Sequence, residues 1–235
     1  MNSKPPYNYE EGALFLIDKP LHWTSFDVVN KLRYALRKAS GNKKIKVGHA
    51  GTLDPLASGL LLVCCGKYTK SIDNLQAMTK EYTGTFKLGA TTPSYDTETA
   101  ENAHFSFDHL SEAEILATVE QFLGDIQQYP PAFSAIKVEG KPLYLAARKG
   151  EEVELKARSL TIYAFEISRI ELPYVDFRVS CSKGTYIRSL AHDFGKALNN
   201  GAYLSALRRT KIGEYDVKDA WDLGELVEFV QAEVK

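Results

Sequence analysis

The spacing of apolar and polar positions changes repeatedly along the chain, and each change marks an element. Gly12–Asp18 (GALFLID) is a short apolar run stopped by Lys19-Pro20 and reads as a strand. Thr24 is followed three residues later by Asp27, the spacing of a capping box. Val28, Val29, Leu32, Ala35 and Leu36 then form a one-sided stripe, which predicts a helix that packs on the core and turns Arg33, Arg37 and Lys38 outward. Ser40–Lys44 reads as a flexible linker. Leu60–Cys65 is an unbroken apolar run, which fits a buried strand or, alternatively, a buried helical turn. Lys67–Met78 reads as helix, and Glu81–Leu88 alternates as a strand with Tyr82, Gly84, Phe86 and Leu88 on one side. Thr91–Phe107 is polar and acidic, the pattern of a surface loop. Ser111 and Glu114 form a second capping box ahead of Ile115, Leu116, Val119, Phe122 and Leu123, a helical stripe that runs up to Gly124. Arg158–Ile170 and Tyr174–Cys181 read as a hairpin, Ile187–Leu198 as a helix, Tyr203–Thr210 as a strand, and the segment from Asp219 as a short amphipathic helix. Residues 1–10 read as a loose polar arm. With no repeat, low-complexity tract or Gly/Ser linker to divide it, the chain reads as a single domain over residues 1–235.

Composition adds bounds. The 235 residues are 44% apolar and 25% charged, which suits an ordinary globular protein with a sizeable core. Cys64, Cys65 and Cys181 match no metal-ligand or CxxC spacing and read as reduced core residues, so the cytoplasm is the expected compartment. No apolar run approaches the ~18 residues of a membrane span, and the N-terminal stretch lacks the pattern of an export signal. A net charge of −1 argues against nucleic acid until its distribution is considered. Lys31, Arg33, Arg37, Lys38, Lys43, Lys44 and Lys46 follow one another with no acid between them, while Asp96–Asp125 holds eight acids and no Lys or Arg. Such a basic run is either a solvated helix face or a surface that tracks phosphates.

The stretch that organises the chain is Gly48–Gly66, GHAGTLDPLASGLLLVCCG. Asp54 precedes Pro55 among Gly48, Gly51 and Gly59, so a carboxylate stands on a stiff turn just before an apolar strand. An Asp-Pro pair in a loop is commonly just a turn former. Asp125–Gly150 mixes aromatic residues with Lys137, Lys141, Arg148 and Lys149, a pattern that suits a nucleic-acid contact or, more plainly, a Pro-stiffened connecting hairpin.

Taken together and in order, these blocks resemble the bacterial tRNA pseudouridine synthase B family. GALFLIDKPLHWTS is similar to its first motif, GHAGTLDPLASGLLLVCCGKYTK to its catalytic motif, and KEYTGTFKLG to the one that carries a stacking tyrosine. YPPAFSAIKVEGKPLYLAARKG resembles its tRNA-binding insertion, VSCSKGTYIRSLAHDFG its arginine motif, and LRRT the segment that closes the pocket. Many members continue into a C-terminal RNA-binding domain of the PUA type. About 25 residues follow LRRT here, which reads as a short form without that domain.

The resemblance implies an α+β fold with a mainly antiparallel mixed sheet, flanking helices and a central catalytic cleft. It also implies conversion of the T-loop uridine at tRNA position 55 to pseudouridine. That isomerisation needs no redox cofactor, metal or ATP, and the sequence has no P-loop, Rossmann fingerprint or zinc spacing. By resemblance, Asp54 is the reacting carboxylate, acting at C1′, at C6 or on the C2′ proton. Arg188 is the cation beside it, and Tyr82 stacks on the extruded base. His49, Tyr186 and Leu207 match positions that contact the substrate, the latter two lining the uracil pocket. Lys19, Arg33, Arg37, Lys137, Arg148 and Arg208 are weaker RNA-contact candidates, with Lys19 structural or phosphate-facing. The implied partner is the tRNA T stem-loop, with no membrane, no obligate protein partner and a monomeric state. Two rivals are a tRNA-binding and folding helper with secondary or no isomerase activity, and the same chemistry on another RNA.

Overall fold

A computed structural model describes residues 8, 9, 11–134, 137, 138, 141–143, 149 and 155–232. In chain order the strands are β1 (Ala13–Lys19), β2 (Val47–Ala50), β3 (Ala57–Cys65), β4 (Lys80–Leu88), β5 (Ala90–Thr91), β6 (Ala103–His104), β7 (Gly124–Gln128), β8 (Lys137–Val138), β9 (Lys141–Pro142), β10 (Arg158–Glu171), β11 (Tyr174–Cys181), β12 (Ala202–Ile212), β13 (Tyr215–Asp216) and β14 (Trp221–Asp222). The helices are α1 (Ser25–Ser40), α2 (Ile72–Ala77), α3 (Glu112–Val119), α4 (Ile187–Ala197) and α5 (Leu223–Ala232). Contacts group these elements into two compact units, Met1–Tyr82 with Arg208–Lys235, and Thr83–Leu207.

In the first unit β3 is the spine. It pairs antiparallel with β1 from Ala13↔Cys65 to Lys19↔Gly59, and with β2 from Val47↔Cys65 to Ala50↔Leu62. β1 also pairs parallel with β14. Alternate β3 residues serve two cores. Leu61, Val63 and Cys65 pack with Phe15, Ile17 and the buried faces of α1 and α5, while Leu60, Leu62 and Cys64 pack with Leu75 and Ile212. Burial on both faces explains why the sequence shows a continuous apolar run there rather than alternation. α1 begins at the expected capping box: the Thr24 hydroxyl accepts from the Asp27 N–H, and the Asp27 carboxylate accepts from the Thr24 N–H. Its buried residues are the five of the predicted stripe plus Ser25.

In the second unit β10 lies between β7 and β11, antiparallel to both. Phe86, Phe122, Phe165, Phe177 and Phe194 form an aromatic centre in which Phe86 stacks on Phe177 at 4.1 Å between centroids. α3 begins at the predicted Ser111/Glu114 capping box and buries Ile115, Thr118 and Val119. The helix ends at Val119 rather than running to Gly124: a 3-10 turn, Glu120–Phe122, follows, Leu123 lies beyond it in extended conformation, and both Leu116 and Leu123 are exposed. The basic piece around Tyr144 to Lys149, which reads from sequence as helical, lies outside the described residues except for Lys149.

Two expectations change. Val47–Ala50, read from sequence as loop, is a strand, held by the full hydrogen-bonding potential of β3. Thr91–Phe107 is not a surface loop throughout: Thr92, Ser94 and Asp96 are buried, and Asp96 bridges to Leu204. Its polar residues satisfy one another, the Ser94 hydroxyl pairing with that of Thr99 at 2.8 Å and the Thr92 hydroxyl donating to the Asp96 carbonyl at 2.7 Å.

Gly59 shows how closely the strand that follows Asp54 is fitted. It has φ of +105°, and a Cβ there would lie 2.3 Å from the Arg209 carbonyl oxygen. Gly59→Ala is therefore expected to destabilise the fold by roughly 2 kcal/mol or more, read as a lower denaturation midpoint at an unchanged slope.

Candidate active site

Asp54 is half-buried on the turn between β2 and β3, and the backbone on both sides of it is fixed. The Ser25 hydroxyl donates to the Leu53 carbonyl at 3.1 Å and accepts from the Leu53 N–H at 2.9 Å. The His22 N–H donates to the Pro55 carbonyl at 2.7 Å, and the Ala57 N–H closes the turn on the Asp54 carbonyl at 3.1 Å. Pro55 keeps Asp54 out of the helical region, so the turn has little freedom of its own.

Two buried cations stand behind this loop. Lys19 is fully buried and donates to the carbonyls of Pro20 at 2.9 Å and Trp23 at 2.7 Å. Burial pushes its ammonium down to about 8; the negative charge of Asp54 works against that shift, and the positive charge of Arg209 adds to it. This places Lys19 in the core as a structural cation rather than facing phosphate. Arg209, 1% exposed, donates to the carbonyls of Leu60, Gly51 and Thr52. Burial also holds His49 below the usual imidazole range, with Arg209 acting in the same direction and a backbone bond to Gly51 opposing it. Tyr82 is buried at 8% exposure on β4. Arg208 is committed to Asp18 through a two-pronged ion pair at 2.6 and 3.0 Å. Arg33 reaches the Val47 carbonyl and Asn30 and lies 5.9 Å over the Phe26 ring, while Arg37 is exposed.

In the second unit Arg188 is 6% exposed at the start of α4. Its guanidinium donates to the carbonyls of Phe133 at 2.9 Å and Ser94 at 3.3 Å, and its Nε lies 3.6 Å from an Asp96 carboxylate oxygen. Tyr95, between Ser94 and Asp96, has φ of +62° and stacks on His192 at 3.9 Å and 11°. A left-handed backbone is rare for a residue this bulky. Here it lets the backbone of Ser94 and the side chain of Asp96 meet one guanidinium. Burial pushes His192 down to about 4, so the ring is neutral in the stack.

Tyr186 caps α4, and both its backbone groups are in use. Its N–H donates to the Gln128 side chain at 2.8 Å, and its carbonyl accepts from the Gln128 amide and from the Leu190 N–H. Leu207 is half-buried on β12. Lys137 lies on β8, and Arg148 falls outside the described residues.

Residues 37–187 match the TruB family of pseudouridylate synthases, described as its N-terminal domain, and residues 188–234 match the tRNA pseudouridylate synthase B C-terminal domain. The chain belongs to the TruB family. It is 62% identical to tRNA pseudouridine synthase B of Flavobacterium johnsoniae over 93% of this chain and 96% of that one. It is 52% identical to the protein of that name from Phocaeicola vulgatus, over 90% of each. Among solved structures it resembles one in a Cbf5-Nop10-Gar1 complex (TM-score 0.70, 31% identity, 94% of this chain) and one in an H/ACA RNP bound to a substrate RNA containing 2′-deoxyuridine (TM-score 0.70, 29% identity, 96% of this chain). It spans 54% and 55% of those chains. The α+β class and the pseudouridine synthase fold are as the sequence resemblance implied.

Sequence reading named Asp54, His49, Tyr82, Tyr186 and Arg188, and did not single out the residues that bond to their surroundings: Ser25 and Arg209 at the Asp54 loop, Asp96 at Arg188 and Gln128 at Tyr186. Asp96 was hidden in an acidic stretch, and Arg209 gave no signal beyond its place in the LRRT segment. Among the described residues no helix is long and apolar enough to cross a membrane.

Proposed function

We propose that this enzyme converts uridine 55 in the T loop of tRNA to pseudouridine, with Asp54 as the working carboxylate. The observation that carries the reading is the Asp54 turn: a half-buried carboxylate whose neighbours on both sides are bonded into the core. The high identity to proteins named tRNA pseudouridine synthase B supports the substrate class. In the reaction the N1–C1′ bond breaks, C1′ joins C5, the C5 proton leaves and N1 gains one, so atoms and oxidation state balance. Asp54 serves as nucleophile or base, and Arg188 is the cation that the family resemblance assigns to it. Tyr82 stacks on the extruded uracil, worth about 1–3 kcal/mol against the cost of unstacking. His49, Tyr186 and Leu207 line the substrate, and His49, already neutral, adds no charge to that surface. The enzyme acts as a cytoplasmic monomer.

Tritium release from C5-labelled uridine in an unmodified tRNA transcript, with mapping of the product, tests this. Release mapped to the T loop supports the reading. Release mapped elsewhere overturns the substrate, and no release from protein that still binds tRNA overturns the activity.

The outer face of α1 supplies an RNA contact. Phe26, Tyr34, Arg37 and Lys38 are exposed on it, and Lys43, Lys44 and Lys46 follow, all exposed. The helix is about 24 Å long at the usual rise. Affinity for tRNA is expected to fall steeply with salt, and Arg37→Gln with Lys38→Gln to reduce the log–log slope by about 1–2 while leaving the rate at saturating tRNA unchanged. Filter binding across a salt series reads this; an unaltered slope would remove α1 from the interface.

A further inference from the structure

We propose that Ser25 and Arg209 are positioning residues for Asp54, gripping the loop that carries it from two sides so that the carboxylate meets the substrate in one fixed geometry. The inference rests on Asp54 being the reacting group. Ser25, 2% exposed, spends its hydroxyl proton and a lone pair on the two backbone groups of a single residue, Leu53, which directly precedes Asp54. That closed pair fixes the Leu53 peptide in both translation and rotation, which one hydrogen bond would not do.

Arg209 works from the other side. Its Nε–H donates to the Leu60 carbonyl at 2.7 Å, one Nη–H to Gly51 at 3.1 Å and the other to Thr52 at 3.4 Å. Leu60 follows the turn, and Gly51 and Thr52 precede it, so one planar guanidinium ties both limbs of the loop together. A rigid fork can do this where a single ammonium donor on a flexible stem cannot. Gly51, with φ of +85°, leaves 3.7 Å between a Cβ position and the guanidinium, and Gly59 lets the Arg209 backbone lie directly against the outgoing limb. A buried guanidinium bonded to carbonyls is a costly way to fill space, since an apolar side chain of similar volume needs no such partners. Its retention fits a task that needs fixed directions. Misplacement of a reacting group by about 1 Å costs about 100-fold in rate.

The test uses the full chain and an unmodified tRNA transcript. Ser25→Ala, Arg209→Lys and Asp54→Asn are compared by single-turnover pseudouridine formation, tRNA Kd and thermal melting. Ser25→Ala is expected to slow the single-turnover step about 10-fold and Arg209→Lys about 30–100-fold, each with tRNA Kd unchanged. Because Arg209→Lys keeps the charge, its loss reads the fork. Rates within two-fold of wild type for Ser25→Ala would overturn the proposal. So would a fall in rate matched by equal falls in tRNA affinity and folded fraction, which marks a structural role alone. Ser25→Ala decides the matter should Arg209→Lys fail to fold. If Asp54→Asn itself keeps the wild-type rate, it is the assignment of Asp54 that fails.

Discussion

Asp54→Asn is expected to lower pseudouridine formation by roughly 10⁴-fold or more while tRNA binding stays within two-fold of wild type. The change is close to isosteric, and the contacts that pin the loop are made by backbone groups of Leu53, Pro55 and Ala57, with Ser25 and His22 as partners. An amide can neither attack carbon with a free electron pair of comparable basicity nor take a proton near neutral pH. The loop therefore persists and the chemistry does not. Lys19 supplies an internal check, because Asp54 raises its affinity for a proton. Removing that negative charge should push the Lys19 ammonium further below about 8. Single-turnover assays with tRNA binding measured in parallel separate this outcome from unfolding. A variant that reacts normally would move the reaction to another group.

Asp96→Asn is expected to reduce both stability and rate. Arg188 and Asp96 are each 6% exposed, and the guanidinium also donates to the carbonyls of Ser94 and Phe133. Removing the charge of one member of a buried ion pair is costly, typically about 3–5 kcal/mol. The asparagine oxygen recovers part of the hydrogen bonding and none of the charge. Rate should fall about 100- to 1000-fold, because a carboxylate that helps hold the Arg188 guanidinium in place is lost. Denaturant unfolding and single-turnover kinetics at saturating tRNA read the two effects separately. Normal kinetics in a destabilised variant would restrict Asp96 to folding.

Local pattern made some of this legible and left the rest hidden. The α1 stripe and both capping boxes obey short-range rules, so Thr24, Asp27, Ser111 and Glu114 announce themselves within a few residues. The stiff turn at Asp54 was legible because Pro55 and the flanking glycines constrain it, whereas the role assigned to Asp54 came only from the family resemblance. Burial of polar groups is a long-range property. Arg209 becomes a core residue by reaching carbonyls some 150 positions earlier, and Arg188 by meeting Asp96, so neither burial could be read from neighbours. The same reason explains why Thr92, Ser94 and Asp96 looked solvated: their partners satisfy them only once the chain has folded back. Leu116 errs in the opposite sense, since a helical period says which residues share a face but not how wide a face the neighbours cover, and Leu123 lies past a helix whose end at Val119 the apolar pattern did not mark.

Cys64, Cys65 and Cys181 are all closed off from solvent, at 0%, 0% and 1% exposure. Burial pushes the Cys64 thiol up to about 12 and the Cys65 thiol up to about 11. Oxidants, alkylating reagents and soft metal ions act on accessible thiolate, and burial withholds all three sulfurs from them, with a raised thiol pKa adding to the effect at Cys64 and Cys65. For the same reason, a single cysteine introduced on the outer face of α1 would be the one attachment point for a fluorophore, and would report RNA arriving at that face without disturbing the native sulfurs.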